Sequence, residues 1–347
     1  LMDGILIVIN TFRMPLFFLL SGFFTAMLFS RRQLGGMIDN RLRRIALPML
    51  IFLPPLSLVL SVQWVVATNL LELGELSLDT SLLKYPYLIW NNTHHLWFLY
   101  YLLIILSAIS VVAVVCARLP AAQVESLRGM LGRLPIMGCG VLIVVGLLFG
   151  AMAYHRYVGR MGGNIIWEPY WPSVLFFGVC TLLGWGLYYR QQLLGVFTER
   201  SWVYLGVALV CLGIAVWAFF TQGEQGGADY PVRHPVLVFA NGLAVSFFMA
   251  AFIGLFCRYF NRFNPWTRYL SDSAYWTFLL HQPVLLLLAI PMYDWAMVAE
   301  VKFLIVSLGT FFLCTLSYHY WVRNTAMGVL LNGRRYARQL PRGYNAA

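Results

Sequence analysis

Charge is what this 347-residue chain has least of: 13 acidic and 24 basic side chains, or 11% charged residues against 61% hydrophobic ones. A soluble domain is about 25% charged and about 45–50% apolar, so a water-soluble globule is excluded. Lysine is almost missing. Lys84 and Lys302 are the two, and every other basic residue is arginine. C-x-x-C pairs are missing too. Cys116, Cys139, Cys180, Cys211, Cys257 and Cys314 lie in or at the ends of apolar runs. They read as small buried residues, not as a disulfide or metal framework. No low-complexity tract or internal repeat is evident.

What the chain does have is apolar runs of about 20 residues, each long enough to cross a hydrocarbon core of about 30 Å. Mean hydropathy is +0.74. An all-α, polytopic membrane bundle is predicted. Its spans lie near 12–30, 45–67, 95–116, 136–154, 173–189, 202–220, 235–257, 273–293 and 301–321, in one domain over 1–347 that ends in a basic tail, 322–347. The net charge of +11 does not imply nucleic-acid binding, because the arginines sit in short loops between spans. Loops 31–44, 117–135, 190–201, 258–270 and the tail carry 18 basic residues. The alternate loops carry Lys84, Arg156, Arg160 and Arg233 with most of the acids: Glu72, Glu75, Asp79, Glu168, Glu224, Asp229, Asp294 and Glu300.

That alternation holds across all nine spans and places the Arg-rich set, with the C-terminus, in the cytoplasm. Residue 1 then falls outside with no signal peptide, and the chain begins at Leu1. The expectation is a preceding helix absent from this sequence and ten spans in the complete protein. External loops 162–172 and 222–231 are rich in Gly, Pro and aromatics. Their Trp and Tyr suit the bilayer interface and would also stack on sugar faces.

Ionisable groups within spans are costly and therefore functional candidates. His281, in W-T-F-L-L-H-Q-P, lies about ten residues into its span, roughly 15 Å at 1.5 Å per residue. It can accept a proton, donate a hydrogen bond or bond a neighbouring helix. Pro283 frees a backbone carbonyl beside it. His94 and His95 are adjacent, so at most one points into the bundle, and no ligand spacing supports a metal there. Arg13, at the external start of the first span, either snorkels to the interface or faces inward to hold an anionic or polyhydroxy group. Ser21-Gly22 suits close helix packing, and no base stands near Ser21 to make it a nucleophile. Arg41 and Arg44, at i and i+3, would share a helical face and clamp a phosphate, or serve only as a topology signal. Asp272 reads as an N-cap at a cytoplasmic helix start.

Four landmarks occur in order: F-R-M-P-L-F-F-L-L-S-G-F-F at 12–24, R-L-R-R at 41–44, H-L-W-F-L at 95–99 and S-D-S-A-Y-W-T-F-L-L-H-Q-P at 271–283. Together they resemble the acyltransferase 3 family of bacterial membrane O-acyltransferases, most of all its branch associated with succinylation of osmoregulated periplasmic glucans. The resemblance implies an inner-membrane bundle moving an acyl group, succinyl or acetyl, from cytoplasmic acyl-CoA to a periplasmic carbohydrate hydroxyl, with no bound cofactor or metal. It implies CoA contacts at Arg41 and Arg44, catalytic roles for His281 and His95, and substrate contacts at Arg13, Ser21, Gly22 and Trp97. The family's first helix carries an Arg and a His that acts as base, and residues 1–11 contain neither. The chain as written is expected to lack its principal base and to be inactive in that form. A transporter or flippase for glucan or lipid-linked sugar is the rival reading. Pro15, Pro48, Pro54, Pro55 and Pro283 would serve broken transport helices as well, although no span carries an acidic coupling residue.

Overall fold

A computed structural model describes residues 2–81, 92–118, 146, 148, 162–223 and 227–337. The described chain is helical, with one isolated antiparallel bridge, Asn92 to Ile166, and no strand among the described residues. The helices are α1 (Met2–Arg41), α2 (Leu47–Leu73), α3 (Trp97–Arg118), α4 (Trp171–Tyr189), α5 (Gln192–Glu199), α6 (Ser201–Thr221), α7 (Tyr230–Tyr259), α8 (Pro265–Ala289), α9 (Ala299–Ser317) and α10 (Ala326–Asn332). π-helical turns at Leu42–Ala46 and Tyr318–Val322 precede α2 and follow α9. Among the described residues, six stretches are long and apolar enough to cross a membrane. The first is a 70-residue run, Gly4–Leu73, with a backbone break at Gln33 (φ 55°).

Eight of the expected spans fall on these helices. Span 136–154 apart from Gly146 and Leu148, together with Cys139, Lys84, Arg156, Arg160 and Glu224, lies outside the described residues, as does most of loop 117–135. Two boundaries differ from expectation. α1 starts ten residues before residue 12, because Ile7 and Val8 pack on Ala208, Leu212, Ala244 and Phe248. Arg13 is therefore inside a helix, not at its outer end. α8 starts at Pro265, where the Asn264 side chain accepts from Trp266 N–H at 2.8 Å, an N-cap with proline at N1. Asp272 is thus not the cap. It sits two turns inside and accepts from Arg268 and Tyr336.

The chain forms two compact units. The first comprises Leu1–Ile38, Ile104–Gly163 and Tyr170–Arg262, and the second Asp39–Leu103, Asn164–Pro169 and Phe263–Ala347. In the first, α6 and α7 pack along a face of small residues: Ala208, Leu212, Ala215 and Ala218 against Leu237, Ala240 and Ala244. Spacings of three and four keep these on one stripe. Small side chains suit a membrane, where lipid removes the hydrophobic drive and close backbone approach replaces it. In the second unit α8 packs on α9, with Trp276 Nε1 donating to Ser317 Oγ at 2.9 Å, and α2 packs on α8 through Phe52 and Trp276.

Candidate active site

Proline at position i removes the helical donor for the carbonyl at i−4. In the second unit two carbonyls released in this way are taken by side chains from distant helices. Pro283 releases Leu279 C=O, and His95 Nε2 lies 3.0 Å from it. Pro48 releases Arg44 C=O, and the Tyr275 hydroxyl donates to it at 2.9 Å. The π-helical turn Leu42–Ala46 ends two residues before Pro48, where an α-helical course would drive the ring into that carbonyl. Gln63 Nε2 adds a tie from α2, donating to Pro283 C=O at 2.9 Å.

These bonds fix proton positions. A carbonyl only accepts, so His95 carries its hydrogen on Nε2 and its lone pair on Nδ1. His281 Nδ1 lies 2.7 Å from Phe278 C=O, which puts a hydrogen on Nδ1. The two rings meet edge to face, centroids 5.0 Å apart and planes at 81°, with Phe278 against both. His95 Nδ1 and Gln282 Oε1 are buried and meet no protein partner with hydrogen-bond geometry. Both imidazoles are therefore oriented in this unit by backbone carbonyls, His95 through Nε2 and His281 through Nδ1.

The start of α3 is held rigidly. His94 takes a left-handed backbone (φ 47°), its N–H donating to Asn92 Oδ1 at 2.7 Å. Asn, Asp and His are the non-glycine residues most often found there. His94 is buried and His95 reaches Leu279 C=O, so both histidines lie in the interior, against the expectation that at most one does. Segment 164–169 lies against this corner. Thr93 Oγ1 donates to Ile165 C=O (2.8 Å), the Tyr100 hydroxyl to Trp167 C=O (2.9 Å), and Asn164 N–H to the Tyr101 hydroxyl (3.0 Å). Trp97 packs edge-on against Tyr101, centroids 5.4 Å apart.

Arg41 and Arg44 do not present a shared α-helical face, because the wider π turn begins between them. Arg44 Nη1 donates to Leu331 C=O at 2.9 Å, in the last turn of α10, and its guanidinium runs across Gly333. A cation on helix-terminal carbonyls is a favourable cap. Arg41 is half-buried, and Arg43 pairs with Asp39 at 2.8 Å on the surface.

The remaining expected site residues lie in the first unit. Gly22 meets α4 so closely that a Cβ would stand 1.8 Å from Thr181 C=O, and a Cβ on Gly184 would stand 1.8 Å from Leu19 C=O. Gly22 is thus a packing residue between α1 and α4. Ser21 is half-buried, and its carbonyl accepts from Thr25 Oγ1. Arg13 borders an apolar groove of about 460 Å³ with Phe12, Leu16, Phe17, Phe252 and Phe256.

A family profile described as an acyltransferase domain matches residues 2–319. The chain belongs to the acyltransferase 3 family. Curated relatives named Glucans biosynthesis protein C, from Salmonella paratyphi B, Salmonella heidelberg and Salmonella dublin, are 38% identical to this acyltransferase 3 chain over 104 residues. That stretch is 30% of the chain and spans about a quarter (26%) of each relative's length. No solved structure matches.

Gln63, Tyr275 and Arg323 were not singled out by sequence. Gln63 and Tyr275 had a signal, being polar groups within apolar or aromatic runs, but their partners are 220 and 231 positions away. Two substitutions test the carbonyl logic. Pro283→Ala returns an N–H that competes for Leu279 C=O, so nitrogen NMR of His95 is expected to show mixed tautomers in place of one. Tyr275→Phe strands the Arg44 carbonyl and is expected to cost about 1–2 kcal/mol in thermal unfolding.

Proposed function

We propose that the protein is a membrane O-acyltransferase that moves an acyl group, succinyl favoured, from cytoplasmic acyl-CoA to hydroxyls of a periplasmic glucan or other envelope carbohydrate. The observation that carries this is the His95–His281 pair with its tautomers set by Leu279 and Phe278 carbonyls, in a chain of acyltransferase 3 membership. The glucan assignment is supported by the name of the relatives that match part of the chain, Glucans biosynthesis protein C.

In this reading a histidine base, with His281 as secondary base or orienting group, takes the acceptor hydroxyl's proton while its oxygen attacks the thioester carbonyl carbon. The C–S bond breaks, an ester forms, and the proton passes to the leaving CoA sulfur. His95 orients His281 edge-on, because its own lone pair is buried. Trp97 would stack on the sugar. Ser21, with Gly22 holding α1 against α4, would border the substrate path. Arg13 would meet an anionic acyl end. Arg41 and Arg44 would contact CoA, Arg44 exchanging its Leu331 carbonyl for a phosphate. The chain would lie in the bacterial inner membrane as one nine-span domain with a cytoplasmic C-terminus.

Mass spectrometry of periplasmic glucans from a deletion strain and its complemented partner tests the assignment. An acyl increment that vanishes and returns is expected, and its mass names the acyl group. Unchanged acylation would exclude glucan as the acceptor. Loss of glucan from the periplasm would favour the transporter.

A further inference from the structure

Arg323, at the end of the π-helical turn Tyr318–Val322, anchors a cationic cluster in the second unit that the acyl-transfer chemistry leaves unused. Its guanidinium lies over Tyr269 at 4.7 Å and over Tyr336 at 5.3 Å from the ring centroids. Arg334 lies over the same Tyr336 ring at 4.7 Å, and Arg268 Nη2 donates to the Tyr336 hydroxyl at 3.2 Å. Three guanidinium groups therefore surround one phenol ring. A single carboxylate answers them: Asp272 takes Arg268 Nε at 3.3 Å and the Tyr336 hydroxyl at 3.1 Å.

The backbone builds this arrangement. Tyr336 N–H donates to Arg323 C=O at 2.8 Å, and Arg323 Nε donates to Ala337 C=O at 2.8 Å. Two positive charges remain in excess, and cation–π contact offsets only part of their repulsion. Arg323 Nη1 is moreover buried and meets no acceptor with hydrogen-bond geometry. A buried, charged donor without an acceptor is costly, and an anion with several oxygens relieves it. All three cations are arginines, whose planar forks match phosphate oxygens in pairs.

We propose that Arg323, Arg334 and Arg268, gathered on Tyr336, form a phosphate-binding site for a phosphorylated ligand, the phosphate-bearing end of the acyl donor. The identity of the ligand rests on the acyl-CoA reading; the phosphate chemistry does not. An anionic lipid headgroup presents the same chemistry, so the test separates the two sources. The full chain in a phosphate-free detergent is titrated with CoA and with inorganic pyrophosphate, and is tested for co-flotation with phosphatidylglycerol vesicles. The double variant Arg323→Gln/Arg334→Gln is expected to weaken pyrophosphate and CoA binding at least about 10-fold, the loss of one or two charge-assisted contacts, while vesicle binding holds. Arg334→Gln alone, at an exposed position, repeats the test without disturbing the half-buried Arg323. Binding of all three probes at wild-type strength in both variants, or no pyrophosphate binding by the wild type, overturns the site. Weaker pyrophosphate and vesicle binding with unchanged CoA binding overturns the donor assignment and gives the site to a lipid headgroup. Intact CoA binding with no acyl transfer by the wild type would count against the reaction and leave the site standing.

Discussion

His281→Ala is expected to lower acyl transfer by about 10²–10⁴-fold while leaving CoA affinity within twofold of the wild type. The magnitude is that of losing a positioned general base, about 3–5 kcal/mol in the transition state. The split between chemistry and binding follows from where the side chain sits. His281 Nδ1 is committed to Phe278 C=O, so Nε2 is the nitrogen that would take a substrate proton. Neither bond involves the arginines assigned to the donor. His95→Gln should be milder, since an amide can still donate to Leu279 C=O and keep the corner of α3 in place. Parallel loss of CoA binding in His281→Ala would make the residue a structural support. Retained transfer would remove it from the chemistry.

The second large effect concerns packing. Gly22→Leu is expected to leave no folded protein at growth temperature, and Gly184→Leu the same. In each case the first added carbon would stand 1.8 Å from a backbone carbonyl oxygen on the facing helix, an obstacle that rotamer changes cannot relieve. Separating α1 from α4 would also break the Phe18–Phe177 stack, whose centroids are 4.3 Å apart. Costs above about 4–5 kcal/mol belong to this kind of overpacking. Gly178→Leu, in the same helix, is the control, because open space surrounds its Cβ position. Size-exclusion profiles after heating separate the outcomes. Gly22→Leu surviving like Gly178→Leu would mean that α1 and α4 are not packed in this way.

These two predictions show what was legible in the sequence. The spans were, because hydrocarbon thickness sets their length and any 20-residue apolar run announces itself. Their ends were less so. Arg13 looked like a boundary, yet α1 continues through it. The first turns of α8 carry Arg268 and Asp272 and resembled a loop, although Asn264-Pro265 is a cap signal that could have been read. α8 also falls outside the six stretches apolar enough to cross a membrane, since its polar residues lower its hydropathy. His281 and the carbonyl freed by Pro283 were visible. The group that takes that carbonyl was not, because His95 lies 184 positions from Leu279, and no local pattern encodes a partner at that distance. The pair Arg41 and Arg44 was misplaced on one face for a related reason. α-Helical spacing puts them on one face, and the π turn ahead of Pro48 does not keep that spacing.

The central claim is that an acyl group leaves its thioester only as it reaches a sugar hydroxyl. The complete protein, reconstituted in liposomes, would be given succinyl-CoA outside and oligoglucan within, and free CoA thiol and esterified glucan would be measured together. Equal amounts of the two, both dependent on glucan and both lost in His281→Ala, are predicted. Thiol release without esterified glucan, or glucan crossing the membrane unmodified, would contradict the account.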